Sequence, residues 1–263
     1  MLDGTVTTYI KLVNYNTQRD DFLQIKRNML VTLKIGFNND LITNSFYTKF
    51  LGMAIDNNLS WNNHIDLLMK ELSMACYIIK NAKTYTSASS LKMIYHSFFH
   101  SAMSYGIIFW GNSSHSSTIF SMQKKAIRIT EGCENRDSCT NLFKKLQILL
   151  LTLQYMLSLL MFVVQNKNLF STSIENHNID VRQRDNLYLP QANLTIYQKE
   201  AYYSGIKIFN NLPLETKNVS GNQRKFKNWS KNIYILINFI HWKSTFVNHE
   251  LYTVSQDSLL YWY

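Results

Sequence analysis

The chain has 263 residues, of which 46% are hydrophobic; this excludes a wholly disordered protein and allows one large domain or two small ones. It contains only 8 Gly and 2 Pro residues, so a fold of many strands joined by tight turns is disfavoured and long helices are favoured. The formal net charge of +10 favours polyanionic partners, nucleic acid first and acidic membrane second.

Residues 1–60 have a β-rich pattern. The alternation of Thr7–Val13 predicts a strand. Two short apolar runs, Leu33–Phe37 and Leu41–Thr43, flank Asn38-Asn39-Asp40. Because Asn and Asp tolerate the positive φ of tight turns, this arrangement predicts an antiparallel hairpin.

A strand followed by a long helix is predicted next. Phe50–Ile55 has the apolar character of a strand, and Asp56 is expected to form an Asx turn at the junction rather than to bind metal. From Asn62 to about Tyr85 the hydrophobic period becomes helical. The predicted buried stripe of this helix comprises Ile65, Leu68, Leu72, Ala75, Cys76 and Ile79.

A second helix is predicted to start after an N-cap at Thr86 or Ser87 and to stop at Gly111. Its predicted apolar stripe comprises Leu91, Ile94, Tyr95, Phe98 and Ala102, continuing into Tyr105–Trp110. His96 and His100 are four residues apart on it and could form a metal pair. A hydrogen-bonded role at the core boundary is favoured, because no carboxylate lies near them in the sequence.

A basic helix is predicted over Ser117–Thr130, ending at Gly132. Its apolar side comprises Ile119, Met122, Ala126 and Ile129. Lys124 and Arg128 lie four residues apart on one strip of the outer surface, with Lys125 beside them. Such a cluster can contact phosphate.

Leu146–Val164 contains no charged residue, which raises the possibility of a membrane span. A polar stripe on one side argues for a buried soluble helix with one wet edge instead: Gln147, Gln154, Ser158 and Gln165. Lys144 and Lys145 precede this segment, where contact with phosphate and plain solvation remain equal alternatives.

The remainder is predicted to be a polar linker followed by helices. The linker spans 171–192 and contains Arg182 and Arg184, which are either phosphate contacts or ordinary loop charges. A helix is expected over Leu194–Asn210, stopped by Pro213. The tail has a basic patch (Arg224, Lys225, Lys227), a last helix near Trp229–Trp242 and a frayed end.

The predicted fold class is therefore α+β but mainly α, with a small N-terminal antiparallel β remnant, a helical bundle and further helices. The three cysteines, Cys76, Cys133 and Cys139, show no metal-binding spacing. Their odd number, without a recognisable signal peptide, favours a reducing compartment, cytoplasmic or nuclear.

Five segments carry a resemblance to a known family. They are FLGMAIDNNLSWNNHI (50–65), SLKMIYHSFFHSAMSYGIIFWGNSS (90–114), QKKAIRI (123–129), RDSCTNLFKKLQIL (136–149) and YYSGIKIFNNLP (202–213). In this order and spacing they resemble the C-terminal part of reverse transcriptases from non-LTR retrotransposons, closest to the jockey-like elements of animals. The resemblance runs from about Tyr9 to Phe226.

The resemblance implies a division of the chain. Residues 1–60 resemble the edge of the polymerase palm, 61–131 the helical thumb and 132–170 an extension beyond it, followed by the linker and a C-terminal helical region over 193–263. Phe50, Leu51 and Gly52 resemble the segment near the primer end. The implied partner is an RNA or DNA template–primer duplex, held by Lys124, Lys125, Arg128, Lys144, Lys145, Arg182 and Arg184.

The catalytic carboxylates of this family are not expected in the chain. Asp20 and Asp21 form an Asp-Asp pair, but Gln18 stands where the family has an aromatic residue, and the pair follows YIKLVNYNT instead of preceding it. We interpret the pair as a solvated loop. No catalytic residue, resident metal or cofactor is expected, since Mg²⁺ would belong to the missing palm.

Two alternatives to nucleic-acid holding remain open from the sequence. The chain could be a relic without a biochemical role, or a helical piece that binds another protein through surface that the palm would otherwise cover. A membrane role is disfavoured, and the oligomeric state is left open.

Overall fold

The computed structural model describes residues 35–37, 40–42, 46–134, 138–172 and 186–230. The chain divides into two compact units, residues 1–46 and 47–263. In the first unit, strand β1 (Ile35–Phe37) pairs antiparallel with β2 (Asp40–Ile42), and Phe37 lies opposite Asp40. This confirms the predicted hairpin. The predicted strand Thr7–Val13 and the pair Asp20–Asp21 lie outside the described residues.

The second unit begins with another hairpin, where the sequence predicts one strand. Strand β3 (Tyr47–Phe50) pairs antiparallel with β4 (Met53–Asp56). Leu51 and Gly52 join them with φ angles of 48° and 79°. Two consecutive positive φ angles are those of a tight hairpin turn, which usually carries Asn-Gly or Asp-Gly. The prediction of a single strand over Phe50–Ile55 is wrong because Leu at the first turn position gives no turn signal.

The junction between β4 and the first helix is built around Asp56, as predicted. Its Oδ1 accepts hydrogen bonds from the N–H groups of Asn58 (3.0 Å) and Ser60 (2.8 Å). Its Oδ2 accepts from Ser60 Oγ (3.0 Å) and from the N–H of Trp61 (2.9 Å). Helix α1 (Asn62–Lys83) starts directly afterwards, and all six residues of its predicted stripe are buried.

The second predicted helix is divided into unequal pieces. They are α2 (Ala88–Ile94), a widened turn (Tyr95–His100), α3 (Ser101–Ser104) and α4 (Ile107–Trp110). The predicted N-cap at Ser87 is confirmed, since its side chain accepts from Ser90 N–H at 3.2 Å. Gly106, with a φ of 60°, separates α3 from α4.

Buried residues in these pieces recur at every fourth position: Leu91, Tyr95, Phe99, Met103 and Ile107. In a regular α-helix, residues four apart point in directions that differ by about 40° around the helix axis. A row of such residues would therefore turn progressively away from the core. The widened turn is closed by an i→i+5 hydrogen bond from Ser101 N–H to the His96 carbonyl. Because this turn contains more residues than an α-helical turn, it compensates for the rotation and keeps the row facing the core. Phe99 is therefore buried, and the prediction of Phe98 in the stripe is wrong because Phe98 is 50% exposed.

Helix α5 (Ser116–Glu131) ends at Gly132, whose φ is 80°, as predicted. Ile119 and Ala126 are buried, whereas Met122 and Ile129 are only half-buried. The charge-free segment is not one helix. It is split between α6 (Thr140–Leu146) and α7 (Leu151–Gln165), because the chain turns at Gln147, whose φ is 55°.

Helix α7 is buried on most sides, with Gln154 and Ser158 half-buried and Gln165 exposed, which confirms the wet edge for these three residues. At about 1.5 Å per residue, its 15 residues are shorter than a hydrocarbon core of about 30 Å. Within the described ranges no helix is long and apolar enough to cross a membrane.

The C-terminal part packs on α7. Thr172 and Leu187 form an antiparallel bridge, and the Asn210 side chain exchanges two hydrogen bonds of 2.8 Å with the Leu187 backbone. These contacts bring together the two ends of the predicted linker. The predicted helix Leu194–Asn210 is interrupted at Lys199 and Glu200. The helices here are α8 (Thr195–Gln198), α9 (Ala201–Asn210), α10 (Leu214–Val219) and α11 (Gln223–Ser230).

A mainly helical chain with small antiparallel hairpins at its N-terminal end confirms the predicted fold class. The core of the second unit lies between α1, α5 and the α2–α4 segment, and it continues through α7 to α9. The predicted last helix, Trp229–Trp242, extends beyond the described residues; its described part belongs to α11, which starts earlier, at Gln223.

Candidate nucleic-acid interface

Helix α5 has one buried face and one outer face that carries the predicted basic cluster. The buried face comprises Ile119, Phe120, Gln123, Ala126, Ile127 and Thr130, spaced by one, three or four residues as an amphipathic helix requires. This face packs on α1, and the Cys76 thiol lies 3.7 Å from Met122 Sδ. Packing of the apolar side therefore leaves Lys124, Lys125 and Arg128 toward the outside.

The three cations of α5 point in different directions. Lys125 is exposed on the side of α1. Burial raises the pKa of the Cys76 thiol on α1 to about 11, and the positive charge of Lys125 opposes this rise. Lys124 is half-buried, and its ammonium lies 4.5 Å from the centre of the Phe120 ring. Arg128 is half-buried and hydrogen-bonds through its side chain to Cys139. Lys124 and Arg128 thus flank the side of α5 that faces α6.

Helix α6 places the second predicted basic pair next to this helix. Phe143 is buried in α6, and its ring stacks on that of Phe120 with 6.4 Å between centroids. Lys144 and Lys145, which follow it, are exposed. Lys145 forms an ion pair with Glu131, the last residue of α5.

We call Lys124, Arg128, Lys144 and Lys145, together with Lys125 at the edge nearer α1, the α5–α6 basic surface. Its positive field reaches Cys139: burial raises the pKa of this thiol, and the charges of Arg128 and Lys124 oppose the rise. The hydrogen bond to Glu131 and its charge raise the pKa of Lys145. Ammonium and guanidinium groups so arranged can bind phosphate oxygens but supply no general acid or base for neutral pH.

The residues Phe50, Leu51 and Gly52 lie at the tip of the β3–β4 hairpin. Phe50 is 49% exposed and Leu51 is 45% exposed. Tyr105 holds the tip: its hydroxyl donates a hydrogen bond of 2.6 Å to the Leu51 carbonyl, and its ring lies 3.7 Å from the position a Cβ on Gly52 would take. Tyr105 was not predicted to act here, because nothing in the sequence links it to residues 54 positions earlier.

Comparison of the chain with protein-family models, with curated proteins and with solved structures gives no match.

Arg182 and Arg184 are outside the described residues, so their relation to the α5–α6 basic surface is not defined.

In the part of the chain that is described, no group of three or more His, Cys, Asp or Glu residues is arranged to hold a metal ion. The acidic residue Glu131, which the sequence analysis did not single out, belongs to the surface through its pair with Lys145.

Proposed function

We propose that the chain is the nucleic-acid-holding part of a non-LTR retrotransposon reverse transcriptase, and that it binds template–primer duplex without polymerising. The observation that carries the proposal is the packing of α5 against α6. Two basic clusters that are separate in the sequence, 124–128 and 144–145, lie on neighbouring helices whose Phe120 and Phe143 rings stack. Cations on one surface are what sequence-independent binding of phosphates requires.

The hairpin tip supports the same proposal. A tip that is apolar, exposed and held by a hydrogen bond from Tyr105 can support the end of a duplex, where bases present apolar faces. The resemblance of Phe50, Leu51 and Gly52 to the primer-end segment of the family points to the same use. We do not propose polymerisation. In the family that the chain resembles, the metal-binding carboxylates belong to a segment that precedes the segments matched here.

Binding of an RNA–DNA hybrid duplex over a series of salt concentrations tests the proposal. If three phosphates are contacted, the slope of log affinity against log salt is about −3. Replacing Lys124, Lys125 and Arg128 together by Ala is expected to make the slope clearly shallower, leaving only the contribution of the α6 cations. A matched variant, Lys207, Arg224 and Lys225 to Ala, removes the same charge from exposed positions on α9 and α11. Equal losses in the two variants would reject the α5–α6 basic surface.

A second candidate function, docking to another polypeptide, is favoured by the exposed side chains of β3. Tyr47 is 51% exposed, and all four residues of this strand are accessible. An accessible edge strand with aromatic residues is a common site for association. Size-exclusion chromatography at several concentrations distinguishes the two functions: a monomer that binds duplex supports the first, and self-association abolished by Phe50→Ser supports the second.

A further inference from the structure

His96 and His100 lie together in the widened turn between α2 and α3. Their ring centroids are 5.2 Å apart, and the ring planes are inclined by 73°. His96 is exposed and His100 is half-buried. The Nδ1 atom of His100 is buried and has no hydrogen-bond partner, so the hydrogen-bonded role that the sequence favours is not seen at this atom.

The spacing of the rings matches that of two imidazoles on one metal ion. A zinc–nitrogen bond of about 2.0–2.1 Å places the metal about 3.2 Å from each ring centroid. At the tetrahedral angle the two centroids are then about 5.2 Å apart, and at a right angle about 4.5 Å. The observed 5.2 Å therefore agrees with two imidazoles on one ion, once each ring turns a nitrogen toward it.

We propose that His96 and His100 form a two-histidine binding site for a borderline transition-metal ion, Zn²⁺ or Cu²⁺. Coordination would satisfy the buried nitrogen of His100, and water would complete the shell, since within the described ranges no third protein ligand is grouped with the pair. Widened helical turns of this kind are often found at functional sites. The site is separate from the α5–α6 basic surface and does not depend on the proposed function.

Titration of the full chain, without a histidine tag, with Zn²⁺ and with Cu²⁺ tests the site by calorimetry. The test variants are His96→Asn and His100→Asn. The matched control is His115→Asn, since His115 is a half-buried histidine near the start of α5 whose ring pairs with Ser114 Oγ. We expect each test variant to lose about tenfold in affinity or more, with the control unchanged.

Electron paramagnetic resonance of the Cu²⁺ complex gives a second readout. Two equivalent nitrogen couplings are expected in the wild type and in His115→Asn, and one in His96→Asn. His96 is exposed, so this variant keeps the fold even if His100→Asn does not. Undiminished affinity in His96→Asn, or two equivalent nitrogen couplings that persist in it, would overturn the proposal. So would the absence of one-to-one binding in the wild type.

Discussion

The side-chain oxygen of Gln123 accepts a hydrogen bond of 2.9 Å from the backbone N–H of Leu151. Its amide nitrogen donates to the Leu149 carbonyl at 2.9 Å and to the Tyr95 hydroxyl at 3.2 Å. Gln123 is 0% exposed, so these bonds join α5 to the widened turn and to the start of α7 inside the core. They cross the boundary that the resemblance implies between 61–131 and 132–170.

Replacing Gln123 by Ala is expected to lower the free energy of unfolding by about 3 kcal/mol. The substitution removes the side-chain partner of the buried Leu151 N–H and of the half-buried Leu149 carbonyl, and it opens a cavity. Urea unfolding followed by tryptophan fluorescence, to which the buried Trp61 and Trp110 contribute, measures the change. Gln154→Ala, at a half-buried position on α7, is the control and is expected to cost about 0.5 kcal/mol. Equal costs would contradict the role of Gln123.

The Asp56 carboxylate is expected to make stability depend on acid pH. Burial opposes its ionisation, but the hydrogen bonds from Ser60, Asn58 and Trp61 outweigh burial and lower its pKa below the usual 3.8. Because the folded state holds the proton less tightly than the unfolded chain, the stabilisation is complete above about pH 4 and disappears as the pH falls through the lowered pKa.

Asp56→Asn tests this expectation. At pH 7 the variant is expected to unfold about 1–2 kcal/mol more easily, because an amide cannot accept all four hydrogen bonds. Below the lowered pKa the difference from wild type should shrink. Asp66→Asn, on the exposed side of α1, serves as the control. A difference that stays constant from pH 7 to the acid limit would show that the charge of Asp56 is not the cause.

Gly111 is expected to tolerate no side chain. A Cβ at this position would lie 2.5 Å from Tyr155 Cδ2 and 2.6 Å from the Ile107 carbonyl, and neither the buried ring nor the backbone can retreat freely. Gly111→Ala should therefore lower the free energy of unfolding by about 1–3 kcal/mol. Gly221→Ala is the matched control, since nothing lies within 4 Å of its Cβ position. Thermal unfolding by circular dichroism compares the two, and a similar melting temperature for both variants would refute the close packing.

Helices with a regular buried stripe could be predicted from the sequence. In α1 the apolar residues follow the helical period over many turns, and the start is marked by Asp56, so the helix and its core face both agree with the structure. The widened turn could not be predicted. Phe98 and Phe99 are adjacent, and the choice between them as the buried residue depends on a backbone hydrogen bond that the sequence does not encode locally.

The basic residues of the site were predicted by charge alone, but their arrangement was not. The approach of Lys145 to Glu131 depends on the angle between α5 and α6, which the packing of Phe143 on Phe120 determines. The same holds for Tyr105 and Leu51, because a hydrogen bond between residues 54 positions apart depends on the whole intervening fold. The local pattern thus predicted the candidate cations, the resemblance pointed to the tip residues, and tertiary packing determines their contacts.

In the ion pair with Glu131, the Lys145 ammonium is neutralised and is expected not to contact phosphate. Glu131→Gln is expected to release Lys145 and to add one phosphate contact, so the salt slope of duplex binding becomes steeper by about 0.9. The affinity ratio of variant to wild type should then grow about eightfold for each tenfold fall in salt. Stability should change little, since the Lys145 side chain is 68% exposed.

Glu71→Gln makes the same charge change at an exposed position of α1 and controls for net charge. If both variants steepen the slope equally, the effect is one of overall charge and Lys145 has no specific part in it. Lys145→Ala completes the test, because its cost in affinity should be larger in the Glu131→Gln background than in the wild type. That difference arises only if the freed ammonium itself reaches the duplex, because a general loss of one positive charge would cost the same in both backgrounds.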